Sequence, residues 1–533
     1  MKKNGLLTLL SILLVFAAAE SAVSQVKTAK VTGGEVQGVF TGDVASFKGI
    51  PFAAPPVGEL RWKAPQPVKA WTGVKTADAF APGCIQDSGL ATMIGAPTNF
   101  SEDCLYLNVW TAAKSTRDRL PVMVWIYGGG FAVGATNTPV YDGTKFAQKG
   151  VVLVSVAYRV GPFGFLAHPD LTRESGKGSG TYGLQDMIAG LLWVKNNIAQ
   201  FGGDPSRVTI FGESAGGIAV SMLAASPAAK GLFHRVISES GGSFAPARVG
   251  AEAGQNVPTL PFAESTGKKF LDGLGASDLK TARALSADQI QKSLGGLSSM
   301  GRFWPTADGD VLPADQYEAY QAGRFNDTPV LIGTNSDEGA LFARGGVTPA
   351  AFEQQIRAGY GPQADTILKA YPHSTDAEAF KSTKDIFRES AFAWHTWAWA
   401  RLQSQKGKNK AYVYYFDHRT PATPDGSNHA SEIPFVFRNL DVNAGVLSVQ
   451  RQPGDAALSD LMSSYWVNFA RTGDPNGAGL PAWPAFTESE QKAMFFDPTP
   501  SARPVPNLDK LKAFDAYYAW RREQVKEKAK GSN

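Results

Sequence analysis

Hydrophobic positions along the chain follow two periods. Continuous apolar runs at residues 122–126, 151–156, 208–211, 236–238, 330–333 and 411–416 have strand length, as expected of strands buried on two faces. Between them, Leu184, Met187, Ile188, Leu191, Leu192 and Val194 fall at helical spacing over residues 184–198. Strands alternating with helices predict an α/β fold with a large, mostly parallel, doubly wound central sheet and helices on both faces. Residues 31–52 alternate apolar and small positions with glycines, which predicts an antiparallel N-terminal part. No repeat and no linker interrupts the pattern, so residues 25–533 read as one domain. Residues 250–300 are rich in Gly and Ala and weakly patterned, and are expected to form loops and short helices at the mouth of a site. Leu508, Leu511 and Phe514 predict an amphipathic final helix. Its basic residues, Arg521, Arg522, Lys526, Lys528 and Lys530, are expected in solvent.

Residues 1–24 stand apart. Lys2 and Lys3 precede an apolar run from Leu6 to Ala19, then Ala22, Val23 and Ser24, the order of a secretory leader with its cleavage site. The run is shorter than the roughly 20 residues a membrane span needs, and no cysteine near it would take a lipid. The expectation is an exported, unanchored protein, periplasmic or secreted, monomeric or weakly self-associating. The chain has 533 residues, 43% of them hydrophobic, and a net charge of only +4, with no basic stripe interleaved with aromatics. A nucleic acid is therefore not an expected partner. Two cysteines, Cys84 and Cys104, close in sequence in an exported chain, predict a disulfide, with two buried thiols the alternative. Without a histidine cluster beside them they do not suggest a zinc site.

The chemistry is centred on Gly212-Glu213-Ser214-Ala215-Gly216, which follows the run at 208–211 and precedes a helix-compatible stretch from Ile218 to Ala225. A Gly-x-Ser-x-Gly between strand and helix is a nucleophile elbow, a tight turn that lifts the serine hydroxyl from the sheet. A serine nucleophile needs a base, a group that orients the base, and donors for the oxyanion. The expected chain order is serine, acid, histidine. Of six histidines, His168 and His234 do not fit that order, which leaves His373, His395, His418 and His429.

Several ordered motifs carry a resemblance. Glu102-Asp103-Cys104-Leu105-Tyr106-Leu107-Asn108, Tyr127-Gly128-Gly129-Gly130-Phe131, Tyr158-Arg159-Val160-Gly161, Phe201-Gly202-Gly203-Asp204-Pro205 and the elbow together resemble the type-B carboxylesterases. That branch of the α/β-hydrolases holds bacterial esterases, fungal lipases and cholinesterases. The resemblance spans nearly the whole mature chain and implies the α/β-hydrolase fold. It also implies hydrolysis of a small-molecule ester through an acyl-enzyme, without metal or organic cofactor. It places the base on His429, in Gly426-Ser427-Asn428-His429-Ala430, and the acid on Glu338, in Gly333-Thr334-Asn335-Ser336-Asp337-Glu338. The oxyanion donors it implies are the amides of Gly129, Gly130 and Ala215. Ser240 would hydrogen-bond the acid, and Arg61–Glu102 and Arg159–Asp186 would be ion pairs.

Alternatives stay open at several positions. His418 competes as base against a role as a strand-end contact, and His395 belongs to an aromatic helix read as core or pocket wall. Asp337 is read as an exposed turn or cap residue. Glu213 is a carboxylate beside the substrate, with or without a direct catalytic effect. Trp394, Trp397, Trp399, Phe303 and Trp304 read as core packing or as a pocket wall. Residues 85–103 contain no tryptophan, so the indole that would meet a quaternary ammonium is missing and a choline ester is not the expected substrate. Two other functions are compatible with these motifs: a lipase, for which no lid is identified, and a non-catalytic binding or adhesion member of the fold.

Overall fold

The computed structural model describes residues 26–250, 257–296, 301–343 and 345–531. The leader expected over residues 1–24 lies outside them. An eleven-stranded sheet forms the centre. Its strands in chain order begin with β1 (Val39–Thr41), β2 (Val44–Pro51), β3 (Tyr106–Thr111), β4 (Leu120–Ile126), β5 (Val152–Val156) and β6 (Gly203–Glu213). They continue with β7 (Arg235–Glu239), β8 (Val330–Asn335), β9 (Ala411–Phe416), β10 (Lys492–Phe496) and β11 (Ser501–Pro504). Across the sheet the order is β1-β2-β3-β5-β4-β6-β7-β8-β9-β10-β11.

All ladders from β5 to β10 are parallel, for example Val154↔Val124 and Phe211↔Trp125. The β1–β2, β2–β3 and β3–β5 pairs are antiparallel; of these only β1–β2 lies within residues 31–52, where the alternating pattern predicts an antiparallel part. The antiparallel edge strand β11, Ser-Ala-Arg-Pro, has no counterpart among the apolar runs. It is short and only partly buried, so it carries no apolar signature, and proline is tolerated at such an edge. Every residue of β5 is buried irrespective of parity, which requires packed layers on both faces.

The helices that bear on the site are α1 (Tyr182–Asn197), α2 (Ala215–Ala225), α3 (Asp376–Arg388), α4 (Trp394–Lys406), α5 (Asp455–Thr472) and α6 (Leu508–Gly531). After β5 the chain crosses by α1 to β6, on the other side of β4. The winding reverses around β4, and the crevice at the carboxyl ends of strands beside such a reversal is where ligands bind in α/β sheets. Residues beside that crevice form helices Leu260–Gly273, Leu279–Ala284 and Ala287–Lys292, more helix than their weak pattern predicts. Among the described residues no helix is long and apolar enough to cross a membrane.

The last helix corrects one expectation. Leu511 and Phe514 are buried as predicted, but so are Arg521 and Arg522. Arg522 donates to Phe244 O and lays its guanidinium 3.5 Å from the centre of the Tyr317 ring. A planar cation with an apolar stem can pack where an ammonium would not, which a count of charges along the helix does not reveal.

Candidate active site

β6 ends in the elbow. Ser214 has φ 54° and ψ −123°, a region that costs a non-glycine residue of order 1–3 kcal/mol unless its surroundings enforce it. They do so through Ser214 N, which donates to Glu239 O at 2.9 Å, and Ile218 N, which donates to Ser214 O at 2.8 Å. The glycine after the serine is demanded by space: a Cβ on Gly216 would lie 2.0 Å from Ile126 O. Ser214 is half-buried while Ala215 and the whole of α2 are buried, so the hydroxyl stands at the edge of the crevice with a helix N-terminus behind it.

Three segments converge on that hydroxyl. His429 Nε2 stands 2.9 Å from Ser214 Oγ, and its Nδ1 stands 2.6 Å from Glu338 Oε2. Glu338, wholly buried just past β8, also accepts through Oε1 from Ser240 Oγ at 2.5 Å and from Asn335 N at 2.7 Å. Ser240 follows β7, the strand between those that carry Ser214 and Glu338, so its hydroxyl fills the gap between their ends. The loops bearing acid and imidazole are laced together. Asp337 N donates to Ser427 O at 2.9 Å, Ser427 N to Ser336 Oγ at 2.8 Å, and Asn335 Nδ2 to Asn428 O at 2.9 Å. Four non-glycine residues around the crevice, Phe131, Ser214, Ser240 and Ala430, have positive φ. Such strain concentrates where geometry is enforced by its surroundings.

The glycine loop leaves β4 and lies against the elbow. A Cβ on Gly128 would come within 3.1 Å of Ser214 Cβ and 2.8 Å of Glu213 Oε2. Gly129 and Gly130 have φ of 107° and 61°, and their amides take no acceptor among the described residues. Tyr127 and Tyr158 hold the loop reciprocally: Tyr127 OH donates to Tyr158 O at 2.8 Å, and Tyr158 OH to Tyr127 O at 2.9 Å. Their rings stack at 4.3 Å. The far end is held by Gln86, which donates to Gly134 O at 2.9 Å and accepts from Gly134 N at 2.7 Å. Gln86 sits inside the loop closed by the Cys84–Cys104 disulfide, which therefore braces the glycine loop from outside.

Electrostatics are set by buried carboxyls. Glu213 Oε1 lies 3.2 Å from His429 Nε2, and burial pushes the Glu213 carboxyl well above the usual range. Burial works to lower the imidazole, but Glu213 and then Glu338 outweigh it and raise His429 to about 9. Burial raises Glu432 to about 7, with Glu338 adding to it. Glu239, which accepts from Trp466 Nε1 of α5 at 2.7 Å, is likewise pushed up by burial. Taken out of water, these acids favour the neutral form.

The remaining expected residues take structural places. His418 Nε2 meets Asp455 Oδ1 at 2.7 Å, a strand-end contact. His395 is buried, its Nδ1 accepts from Phe244 N at 2.9 Å, and burial lowers it to about 4. Asp337 is not an exposed turn residue: it is buried and paired with Lys384 at 2.7 Å, because α3 packs on the acid loop. Arg61–Glu102 and Arg159–Asp186 are ion pairs of 2.6 and 2.7 Å. Trp394 and Trp399 belong to the core, whereas Trp304 packs edge-on at 4.7 Å against Phe131 of the glycine loop. Sequence reasoning missed Phe342 and Phe392, whose rings flank the His429 imidazole, and Gln86 and Glu239. No motif marks any of them, since each acts through a contact made only in the fold.

The chain matches the family model described as the carboxylesterase family over residues 20–514. It is 39% identical over 467 residues to fumonisin B1 esterase of Sphingopyxis macrogoltabida, covering 85% of this chain and 83% of that one. It is 36% identical over 487 residues to para-nitrobenzyl esterase of Bacillus subtilis (strain 168), covering 87% and 93%. A solved structure of PNB esterase superposes with a TM-score of 0.80 at 35% identity, over 91% of this chain and 99% of the other. With its mostly parallel sheet and the crevice at the strand ends, this chain belongs to the carboxylesterase family, has the α/β-hydrolase fold, and is a carboxylic-ester hydrolase.

Proposed function

We propose that Ser214, His429 and Glu338 carry out ester hydrolysis as a catalytic triad, through an acyl-enzyme. The observation that carries this reading is the unbroken series from Ser214 Oγ through the His429 ring to Glu338, at 2.9 and 2.6 Å. His429 Nε2 takes the hydroxyl proton as Ser214 Oγ attacks the carbonyl carbon. The carbonyl oxygen becomes anionic among the amides of Gly129, Gly130 and Ala215, donors of a kind worth about 10²–10³ in rate when one is lost. His429 then protonates the departing alcohol, and a water activated by the same nitrogen releases the acid. Glu338 holds the imidazole with Nδ1 protonated and stabilises the imidazolium.

Residues 25–533 act in this reading as one catalytic unit, exported after loss of the leader. The Cys84–Cys104 bridge accords with an oxidising compartment, and N-terminal sequencing of the exported protein checks the cleavage site. The reaction is tested with a fluorophosphonate probe and a panel of p-nitrophenyl esters of graded acyl length. The wild-type chain is expected to gain one phosphonyl adduct on Ser214 and to turn over esters of the panel. Ser214→Ala is expected to do neither, and an adduct or turnover that survives that change would overturn the assignment.

A further inference from the structure

The imidazole that faces Ser214 is covered by an aromatic ring that takes no bond-making part in acyl transfer. α3 ends at Arg388 and runs into a π-helical turn, Glu389–Ala393, before α4 begins at Trp394. Such turns are rare, occur often at functional sites, and re-aim the side chains they carry relative to an α-helical path. This one is fixed from two sides. Ahead of it, Arg388 Nη1 donates to Ser336 O at 2.8 Å and Lys384 pairs with Asp337 at 2.7 Å, so α3 is fastened to the loop that bears Glu338. Behind it, the His395 ring spans from Ser390 O, 3.0 Å from Nε2, to Phe244 N, 2.9 Å from Nδ1. Phe244 lies on the loop that begins at Ser240.

Held in that frame, Phe392 is buried and lies nearly parallel to His429, with ring centroids 4.6 Å apart and planes 16° apart. Phe342 meets the same imidazole edge-on, at 5.5 Å and 61°, and is itself stacked on Phe387 at 4.4 Å.

We propose that Phe392, presented by the π-helical turn, is a positioning residue for His429: its ring face fixes the plane of the imidazole and stabilises the imidazolium formed during acyl transfer. An aromatic face carries negative potential and attracts a cation laid upon it, more strongly when water is excluded. A flat neighbour also blocks the tilt that would carry Nε2 away from Ser214 while Nδ1 stays on Glu338. The charged groups facing the ring are Glu213 at the end of β6, Glu338 after β8 and Glu432 on its own loop. Phe392 supplies an uncharged contribution from a fourth element. The proposal rests on His429 being the general base.

The test replaces Phe392 in the full chain with a graded series of fluorinated phenylalanines, which weaken the ring face while keeping its shape. The acidic limb of kcat/KM is expected to move to lower pH with each step, by about half to one pH unit for the most fluorinated ring. kcat on the plateau is expected to fall several-fold with KM little changed. Phe392→Tyr is expected to keep the wild-type profile, and Phe392→Leu to reproduce the end of the series. A limb that stays in place across the series, or an effect confined to KM, would reduce Phe392 to a pocket wall and overturn the proposal. His429→Ala, assayed alongside, separates the two readings. If it stays active, the reading of the site itself is lost. If it is inactive while the limb does not move, only the role of Phe392 is lost.

Discussion

Glu213 Oε1 and His429 Nε2 are 3.2 Å apart, and that nitrogen is the one 2.9 Å from Ser214 Oγ. With Nδ1 donating to Glu338, a neutral imidazole presents a lone pair at Nε2, which an ionised carboxylate would repel. Burial favours the protonated form of Glu213 and a facing imidazolium favours the ionised form, so the carboxyl is charged when the ring is charged. Glu213 and His429 therefore titrate as a pair rather than singly.

The sign of the pH effect follows from that pair. In the proposed mechanism the working form of His429 is neutral, so kcat/KM is expected to rise with pH as the imidazolium loses its proton. Carboxylates hold that proton on and set the limb high. Glu213→Gln removes one of them and should move the acidic limb of kcat/KM to lower pH by about one unit. A pH profile on a single activated ester checks this, and a limb that stays put or moves upward would show that Glu213 does not act on the imidazole.

Ser240 tests the support of the acid. Its hydroxyl donates to the buried Glu338 at 2.5 Å, a bond to a charged acceptor. Such bonds contribute about 1.5–3 kcal/mol. Ser240→Ala should lower kcat by about tenfold to a hundredfold, with KM within a factor of about two. Steady-state kinetics beside a thermal melt separate this from general loss of structure.

The disulfide should matter for stability and for rate. Opening the loop with Cys84→Ser and Cys104→Ser should cost about 2–4 kcal/mol by freeing the unfolded chain. Gln86→Ala leaves the bridge intact but releases both hydrogen bonds to Gly134. It should lower kcat more than Tm, because the glycine loop loses its outer brace while little apolar surface is lost. Calorimetry and turnover on the two proteins would show a different ratio of effects, and equal ratios would count against the bracing role.

Arg159 and Asp186 offer a purely structural contrast. Asp186 is wholly buried and accepts from Arg159 through N, Nε and Nη2 at 3.0, 2.8 and 2.7 Å. Asp186→Ala strands a buried guanidinium, and breaking such a pair costs about 3–5 kcal/mol. Chemical denaturation should show that loss with the position of the kinetic limb unchanged.

Legibility in the sequence followed the range of the interactions. The apolar runs predicted β4 to β9 within a few residues, because strands buried on both faces need a side chain with no polar demand at every position. The elbow was equally plain, since Gly216 has Ile126 O where a Cβ would be and no other residue fits. The reverse holds for Asp337 and Arg522. Their types predict solvent, but Lys384, Phe244 and Tyr317 come to meet them from elsewhere in the chain.

By itself, then, the sequence determined which residues the proposed mechanism calls on: a serine on a tight turn, a carboxylate after a strand, an imidazole on a late loop. Reactivity of that kind is local chemistry written in short motifs. Only the tertiary structure decided how those groups are held and charged. Ser240 reaches Glu338 across 98 positions of chain, Glu213 meets His429, and Phe392 lies flat on the imidazole. Such contacts depend on burial and on the packing of distant segments, and neither is a property of any short stretch of residues.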